Sequence, residues 1–166
     1  MSPAGRIELN DLDNSFMARA IELSIENVRS GRGGLFAAIV VKDGKIIAEG
    51  VNQVTFTNDP TAHAEVVAIR EACRKLADFE LKDCELYTTC EPCPMCLGAI
   101  YWARPERVYF GNTAEDAAKI GFADLRIYKE AARPHSQRTI PMIPLMREQA
   151  LKAFRAWEEK SDKTPY

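Results

Sequence analysis

The chain has 166 residues, of which 46% are hydrophobic and 28% charged, and its formal net charge is −2 at pH 7. This length and composition predict one globular domain with a sizeable core. The near balance of charge argues against a nucleic-acid partner, and no apolar run reaches the roughly 18 residues of a membrane span. Because no signal peptide is recognisable, we expect a soluble, cytoplasmic protein without membrane contacts.

The first half of the chain predicts a helix followed by a hairpin. A helix is expected over residues 14–30, and its core-facing side is predicted from helical spacing to hold Met17, Ile21, Ser24/Ile25 and Val28. Two apolar runs follow, at 35–41 and 46–51, and they are joined by Asp43-Gly44. This arrangement is typical of a β-hairpin with a primed turn.

The second half alternates between helices and strands. Residues 58–61, Asn-Asp-Pro-Thr, predict the opening of a helix with a core-facing stripe at Val66, Ile69, Cys73 and Leu76. The later predicted elements are a strand at 86–89, a helix at 93–103, a strand at 107–111, a helix at 114–119, a proline-punctuated stretch at 133–145 and a helix at 147–160. The alternation predicts an α/β fold, a three-layer α/β/α sandwich around a mixed sheet of about five strands.

The stretch TCEPCPMC places three cysteines, Cys90, Cys93 and Cys96, at three-residue intervals. In a reducing compartment such spacing indicates metal or redox chemistry rather than disulfides. If Cys93 caps a helix that begins at Pro94, Cys96 is the third helical residue, and side chains at these two positions meet. The helix N-terminus favours thiolates, the form that binds zinc.

A third ligand is predicted at the start of the other helix. His63 lies there, and Glu65 follows two residues later, offset by about 200° on a helix, so the two cannot bind one metal together. We therefore predict one Zn²⁺ per chain on His63, Cys93 and Cys96, with a fourth position open to water and Glu65 as a nearby acid/base. HxE followed by PCxxC is the signature of zinc-dependent nucleobase deaminases.

Two alternatives use the same cysteines differently. CPMC between a strand and a helix also fits a redox motif with Cys93 as nucleophile. Adding Cys90 gives a closed site of three cysteines and one histidine, which would be structural. Neither alternative assigns a role to Glu65, so the combination of motifs favours an open catalytic site.

Four longer stretches carry a family resemblance: GGLFAAIVVKDGKIIAEGVNQV, NDPTAHAEVVAIR, CELYTTCEPCPMCLGAIYWARP and AAKIGFADLRIYKE. They resemble the bacterial guanine deaminase branch of the cytidine deaminase-like superfamily, and the resemblance covers essentially the whole chain. It implies hydrolytic conversion of guanine to xanthine and ammonia, with zinc on His63, Cys93 and Cys96 and with Glu65 moving protons. Cys90 is implied to take no part.

The resemblance also implies a substrate-binding set: Asn52 and Asp124 on the purine edge, the Ala64 N–H facing the base, Phe36 and Trp102 lining the pocket, and Tyr166 closing it. It further implies that residues 1–166 form a single deaminase domain and that the protein is a homodimer. In this dimer the C-terminal helix and tail of each chain, residues 145–166, would pack on the partner subunit. Independently, guanine presents adjacent N1–H and 2-amino donors that a carboxylate at Asp124 can accept, whereas adenine has an acceptor at N1.

The chain departs from the family pattern beside Phe36. Where the family commonly has Pro and Gly around this phenylalanine, the chain has Leu35 and Ala37. Guanosine, cytosine or cytidine, and triazines therefore stay open as alternative substrates. A tRNA adenosine deaminase shares the two motifs, but it must hold a polyanion, which the charge balance disfavours.

Overall fold

The structure, a computed structural model, describes residues 9–122 and 124–165. The described residues fall into two compact units, the first ending at Leu125 and the second beginning at Arg126. The first unit contains α1 (Asp11–Ser30), β1 (Ala37–Lys42), β2 (Lys45–Val51), α2 (Val54–Thr57), α3 (Ala64–Leu76), β3 (Cys84–Cys90), α4 (Pro94–Ala103), β4 (Arg107–Asn112), α5 (Ala114–Lys119) and the start of α6 (Asp124–Ala131). The second contains the rest of α6, a 3-10 turn at His135–Gln137 and α7 (Arg147–Glu159).

The sheet is mixed, as predicted, and within the described residues it has four strands in the order β2-β1-β3-β4. β1 is antiparallel to both of its neighbours, and β3 is parallel to β4. The expected number of about five strands is therefore one too high. The described chain beyond β4 turns into helices, and residues 141–146, which include two prolines, form neither helix nor strand. Proline lacks the N–H that a strand ladder needs.

Helices cover both faces of the sheet, which confirms the three-layer sandwich. β1 is buried on both sides, so its five residues from Ala37 to Val41 read as a continuous apolar run rather than an alternation. Ile39 and Val41 pack against α1, whereas Ala38 and Val40 pack against α3 and α4. The predicted primed turn is also confirmed, since Asp43 and Gly44 both have positive φ, 49° and 68°.

The predicted core face of α1 is wrong for Ile21, Ile25 and Val28, whereas Met17 does pack against the core. The buried residues of this helix are Asp13, Phe16, Ala20, Leu23 and Asn27. On the predicted face, Ile21, Ile25 and Val28 remain 46%, 45% and 52% exposed. Both faces carry residues at helical spacing, so periodicity could not separate them. The buried face was overlooked because it contains polar side chains, and these form hydrogen bonds in the interior, as Asn27 does with the backbone.

The helices that carry the motifs differ in how well their starts were predicted. Residues 58–61 form a turn in which Asp59 accepts hydrogen bonds from Thr61, and α3 begins later, at Ala64, with His63 as its N-cap. The apolar stripe predicted for α3 does pack into the core. α4 begins at Pro94 with Cys93 as its N-cap, as predicted. No described helix is both long and apolar enough to cross a membrane.

Candidate active site

Two helix N-termini meet at one edge of the sheet and bring the predicted metal ligands together. α3 and α4 share a core cluster with β1 and β3, which sets their starting points side by side. Gly50 of β2 allows α3 to lie close to the sheet, because a Cβ there would be 2.3 Å from the Ala64 carbonyl oxygen and 2.5 Å from the Ala68 nitrogen. The N-caps of the two helices are His63 and Cys93.

His63, Cys93 and Cys96 form the one group within the described residues whose side chains could hold a metal ion. Nδ1 of His63 lies 3.6 Å from Sγ of Cys93 and 3.5 Å from Sγ of Cys96. An ion bound tetrahedrally at about 2.3 Å from sulfur and about 2.1 Å from nitrogen separates the two ligand atoms by about 3.6 Å. Both the spacing and the nitrogen-and-sulfur donor set therefore fit zinc.

The three groups differ in how readily they take the deprotonated form that binds a metal. A hydrogen bond from the Cys96 thiol, assisted by His63, lowers the pKa of Cys93 to about 4 despite its burial. The same hydrogen bond and burial raise the pKa of Cys96. The hydrogen bond with Cys93 raises the pKa of His63. One thiolate is thus already favoured at neutral pH, and zinc binding would release the proton that the sulfurs share.

Glu65 lies beside the ligand group without belonging to it. The residue is 6% exposed, and its Oε2 lies 3.4 Å from Sγ of Cys96. Burial raises the pKa of Glu65. A carboxyl group whose pKa is raised toward the working pH is better suited to take and return a proton. Its placement therefore allows acid/base chemistry at the metal group.

A cavity of about 400 Å³ opens over this group and contains several of the predicted substrate-binding residues. Phe36, Asn52 and Asp124 line it together with His63 and Glu65. Asp124 is the first residue of α6 rather than part of a loop. Burial, aided by the charge on Cys93, raises the pKa of the Asp124 carboxyl.

Asn52 has a defined orientation at the end of β2. Its backbone N–H donates to the Phe36 carbonyl at 2.9 Å, and its Oδ1 accepts from the Val54 N–H at 3.3 Å. This leaves the Nδ2 group as a donor for a ligand. Ala64 is the first residue of α3 and fully buried; the N–H groups of a helix's first turn have no partner within the helix.

Among the described residues of the predicted set, Ala64 and Trp102 do not line the cavity. Trp102 is 63% exposed near the end of α4 and is absent from the cavity wall of the single chain. Tyr166 lies outside the described residues. Their roles remain predictions.

Part of the cavity wall was not predicted from the sequence. Phe122 lines it and packs edge-on against Phe36, with ring centroids 4.8 Å apart. Glu91 also lines it, and its Oε2 accepts from the Ala114 N–H at 3.0 Å, which ties β3 to α5. Phe122 could have been found from its position two residues before Asp124. No pattern in the sequence predicts that Glu91 lines the cavity or accepts a hydrogen bond from Ala114.

Cys90 lines the cavity but stands apart from the metal group. Its Sγ is 3.6 Å from the Thr113 carbonyl oxygen, and burial raises its pKa to about 11. The closed site of three cysteines and one histidine therefore finds no support in the described residues.

We expect Cys90→Ala to retain one zinc per chain, whereas Cys96→Ala should lose it, as measured by metal analysis of the purified proteins. Loss of zinc from both variants to the same extent would contradict this assignment.

A family model, the cytidine and deoxycytidylate deaminase zinc-binding region, matches residues 10–112. The chain belongs to this family and is a zinc-dependent hydrolytic deaminase.

Among individual proteins, the chain is similar to the guanine deaminase of Bacillus subtilis, with 54% identity over 152 residues, 92% of this chain and 97% of that protein. The crystal structure of guanine deaminase from Bacillus subtilis has a TM-score of 0.91 and 52% identity, covering 95% of this chain and 99% of that one. A solved guanine deaminase from Nitrosomonas europaea has a TM-score of 0.65 and 30% identity, covering 91% of this chain and 86% of that one. A tRNA-specific adenosine deaminase of Aquifex aeolicus is 53% identical over 73 residues, 44% of this chain and 48% of that protein.

Proposed function

We propose that the protein deaminates guanine to xanthine and ammonia. The observation that carries this proposal is that Asn52 and Asp124 face the same cavity as the metal group and Glu65. The similarity to guanine deaminases over nearly the whole chain supports it. A free nucleobase substrate is consistent with a cytoplasmic location, which we likewise propose.

Asp124 and Asn52 would select and orient the base. The Asp124 carboxylate accepts hydrogen bonds from the N1–H and 2-amino donors of guanine, whereas adenine would present an acceptor to it. The Nδ2 group of Asn52 donates to an acceptor on the purine edge, and the Ala64 N–H faces the ring from the helix start. A pocket of this kind rejects the wrong base because its own polar groups would be left unpaired.

Glu65 would move the protons of the reaction. His63, Cys93 and Cys96 would hold the zinc, which would make a bound water nucleophilic at neutral pH. Glu65 takes the two protons of the water in turn and returns the first to a ring nitrogen and the second to the departing amine. The oxygen of water ends on C2, the bond from C2 to the amino nitrogen breaks, and the products are xanthine and ammonia.

Ammonia release across a panel of bases tests this function. Guanine should give the highest kcat/KM among guanine, guanosine, adenine, cytosine, cytidine and the triazine ammeline. A product that co-elutes with xanthine would confirm the reaction at C2. A clear preference for another member of the panel would replace guanine as the substrate and leave the deaminase chemistry in place.

A tRNA adenosine deaminase is the second candidate, because 73 residues of the chain are 53% identical to such an enzyme from Aquifex aeolicus. The net charge of −2 disfavours binding to a polyanion. Salt-sensitive binding of an RNA stem-loop, together with deamination of its adenosine, would favour this candidate over guanine.

We also propose the swapped homodimer. β4 is an outer strand of the described sheet, and its Phe110 is 49% exposed. In the second unit, Ile140, Ile143 and Leu145 are each about four-fifths exposed. Apolar surface of this extent on both units is typical of an interface. A partner's C-terminal segment would then cover the first unit of each chain, and its Tyr166 would close the cavity.

Deleting Tyr166 should lower kcat/KM on guanine by about tenfold or more without removing zinc, because one wall of the site would be lost. Lys163→Ala, an exposed change in the same tail, serves as the control.

Mixing Glu65→Gln chains with Tyr166-deleted chains tests the swap directly. After dissociation and reassembly, a swapped tail should restore about one quarter of wild-type activity, since half of the dimers would contain one complete site. Activity no higher than the mean of the two parents would contradict the swap.

A further inference from the structure

Two polar side chains of α1 reach the backbone that forms one wall of the cavity. Asn27 is 7% exposed, and its Nδ2 donates to the Gly34 carbonyl at 2.7 Å and to the Asn52 carbonyl at 2.9 Å. One helical turn earlier, the Ser24 hydroxyl donates to the Leu35 carbonyl. Both donors of the Asn27 amide are therefore used on two separate segments of the cavity wall.

The two segments held by Asn27 are also in direct contact. A Cβ on Gly33 would lie 1.9 Å from the Asn52 carbonyl oxygen and 2.8 Å from Nδ2 of Asn27. A Cβ on Gly34 would lie 3.3 Å from Oδ1 of Asn52. The glycine segment thus lies against the backbone and the side chain of Asn52, and a displacement of this segment would displace Asn52.

The same contacts extend to Phe36. The Phe36 carbonyl accepts from the Asn52 N–H at 2.9 Å, so the segment 33–36 and the end of β2 form one hydrogen-bonded unit. Leu35 lies in this unit and, unlike proline, does not restrict its own φ. The residues of the 33–36 segment do not by themselves fix its backbone. The hydrogen bonds from Ser24 and Asn27 therefore hold the segment in place.

α1 lies on the face of the sheet opposite the helices that carry the metal group. Its core partners are Ile39 and Val41 of β1, whereas α3 packs on the other face with Ala38 and Val40. The polar end of α1 therefore reaches the cavity wall from the layer remote from the metal ligands. A substitution at the polar end of α1 can therefore alter base binding without changing the metal group or Glu65.

We propose that Asn27 is a positioning residue that sets the orientation of Asn52 and of the 33–36 wall, and so determines the affinity for the base. This inference rests on the proposed function, because Asn52 is taken there as a base-binding residue. Asn27 itself contacts no reacting atom.

Asn27→Ala tests the proposal, with Asn14→Ala, an exposed change on the same helix, as the matched control. KM for guanine should rise about tenfold while kcat stays within about twofold, because Asn52 would lose its fixed position and the metal group would not. Hydrogen exchange should accelerate at the amides of residues 33–36 and 52–54 and stay slow in β3. Zinc content should equal that of the wild type. Ser24→Ala, which removes one bond to the same segment, should raise KM in the same direction by about threefold.

Two results would overturn the proposal. The first is a KM no higher in Asn27→Ala than in Asn14→Ala. The second is exchange that rises equally in β3 and in the cavity wall, which would make Asn27 a general stabiliser. If Asn27→Ala does not fold, Ser24→Ala decides by the same readouts. If the wild type releases no ammonia from guanine, the proposed function fails, and hydrogen exchange alone still decides whether Asn27 holds the 33–36 and 52–54 segments.

Discussion

Replacing Glu65 by glutamine is expected to lower kcat on guanine by about 10²–10⁴-fold while one zinc per chain stays bound. Glutamine keeps the size of the buried side chain but can neither take nor return a proton. Glu65 stands beside Cys96 and is not part of the ligand group, so the metal site should survive. The measurement is steady-state ammonia release together with metal analysis of the same sample.

Glu71→Gln on the same helix provides the matched control. Glu71 forms exposed ion pairs with Arg74 and Lys75, so its loss should leave kcat unchanged. Loss of zinc and of the folded state in Glu65→Gln, in proportion to the loss of activity, would instead assign Glu65 a structural role and count against the acid/base assignment.

Replacing Asp124 by asparagine should lower kcat/KM on guanine by about 10² or more, with zinc and stability preserved. An asparagine offers one acceptor where the carboxylate offers two, and its own amide hydrogens would meet the donors of guanine. Asp124 lies in the cavity wall at the first residue of α6, outside the metal group. The expected change is therefore a change of base selection, measured as the ratio of kcat/KM on guanine to that on adenine.

Asp43→Asn is the control for this substitution. Asp43 is exposed in the hairpin turn with φ 49°, a conformation that asparagine also tolerates, so both kinetic constants should be unchanged. If Asp124→Asn kept the guanine-to-adenine ratio of the wild type, the assignment of Asp124 to the purine edge would be wrong.

Local chemistry explains which parts of the fold could be predicted. The start of α4 followed from Pro94 after a capping cysteine, and the hairpin followed from Asp43-Gly44, because each needs only neighbouring residues. The start of α3 was placed too early, since an Asp-Pro pair opens a turn as readily as a helix. The buried face of α1 was wrong because two faces had similar spacing, and the sheet, rather than the helix, selects between them.

The candidate site divides in the same way. The three metal ligands and Glu65 could be predicted because their spacing in two short motifs already restricts their geometry. Phe122, Glu91 and Asn27 could not be placed, since their contacts join segments distant along the chain and depend on the packing of the helices.

The sequence by itself therefore determined which residues form the possible metal group, which carboxyl group lies beside it, and the alternation of helices and strands. These depend on residue type and on spacing of a few positions, which the covalent chain sets directly. Only the tertiary structure decided which side of α1 is buried and which distant segments form the wall around Asn52. Those outcomes depend on the free energy of packing two helical layers against a shared sheet, and no single stretch of the chain contains that information.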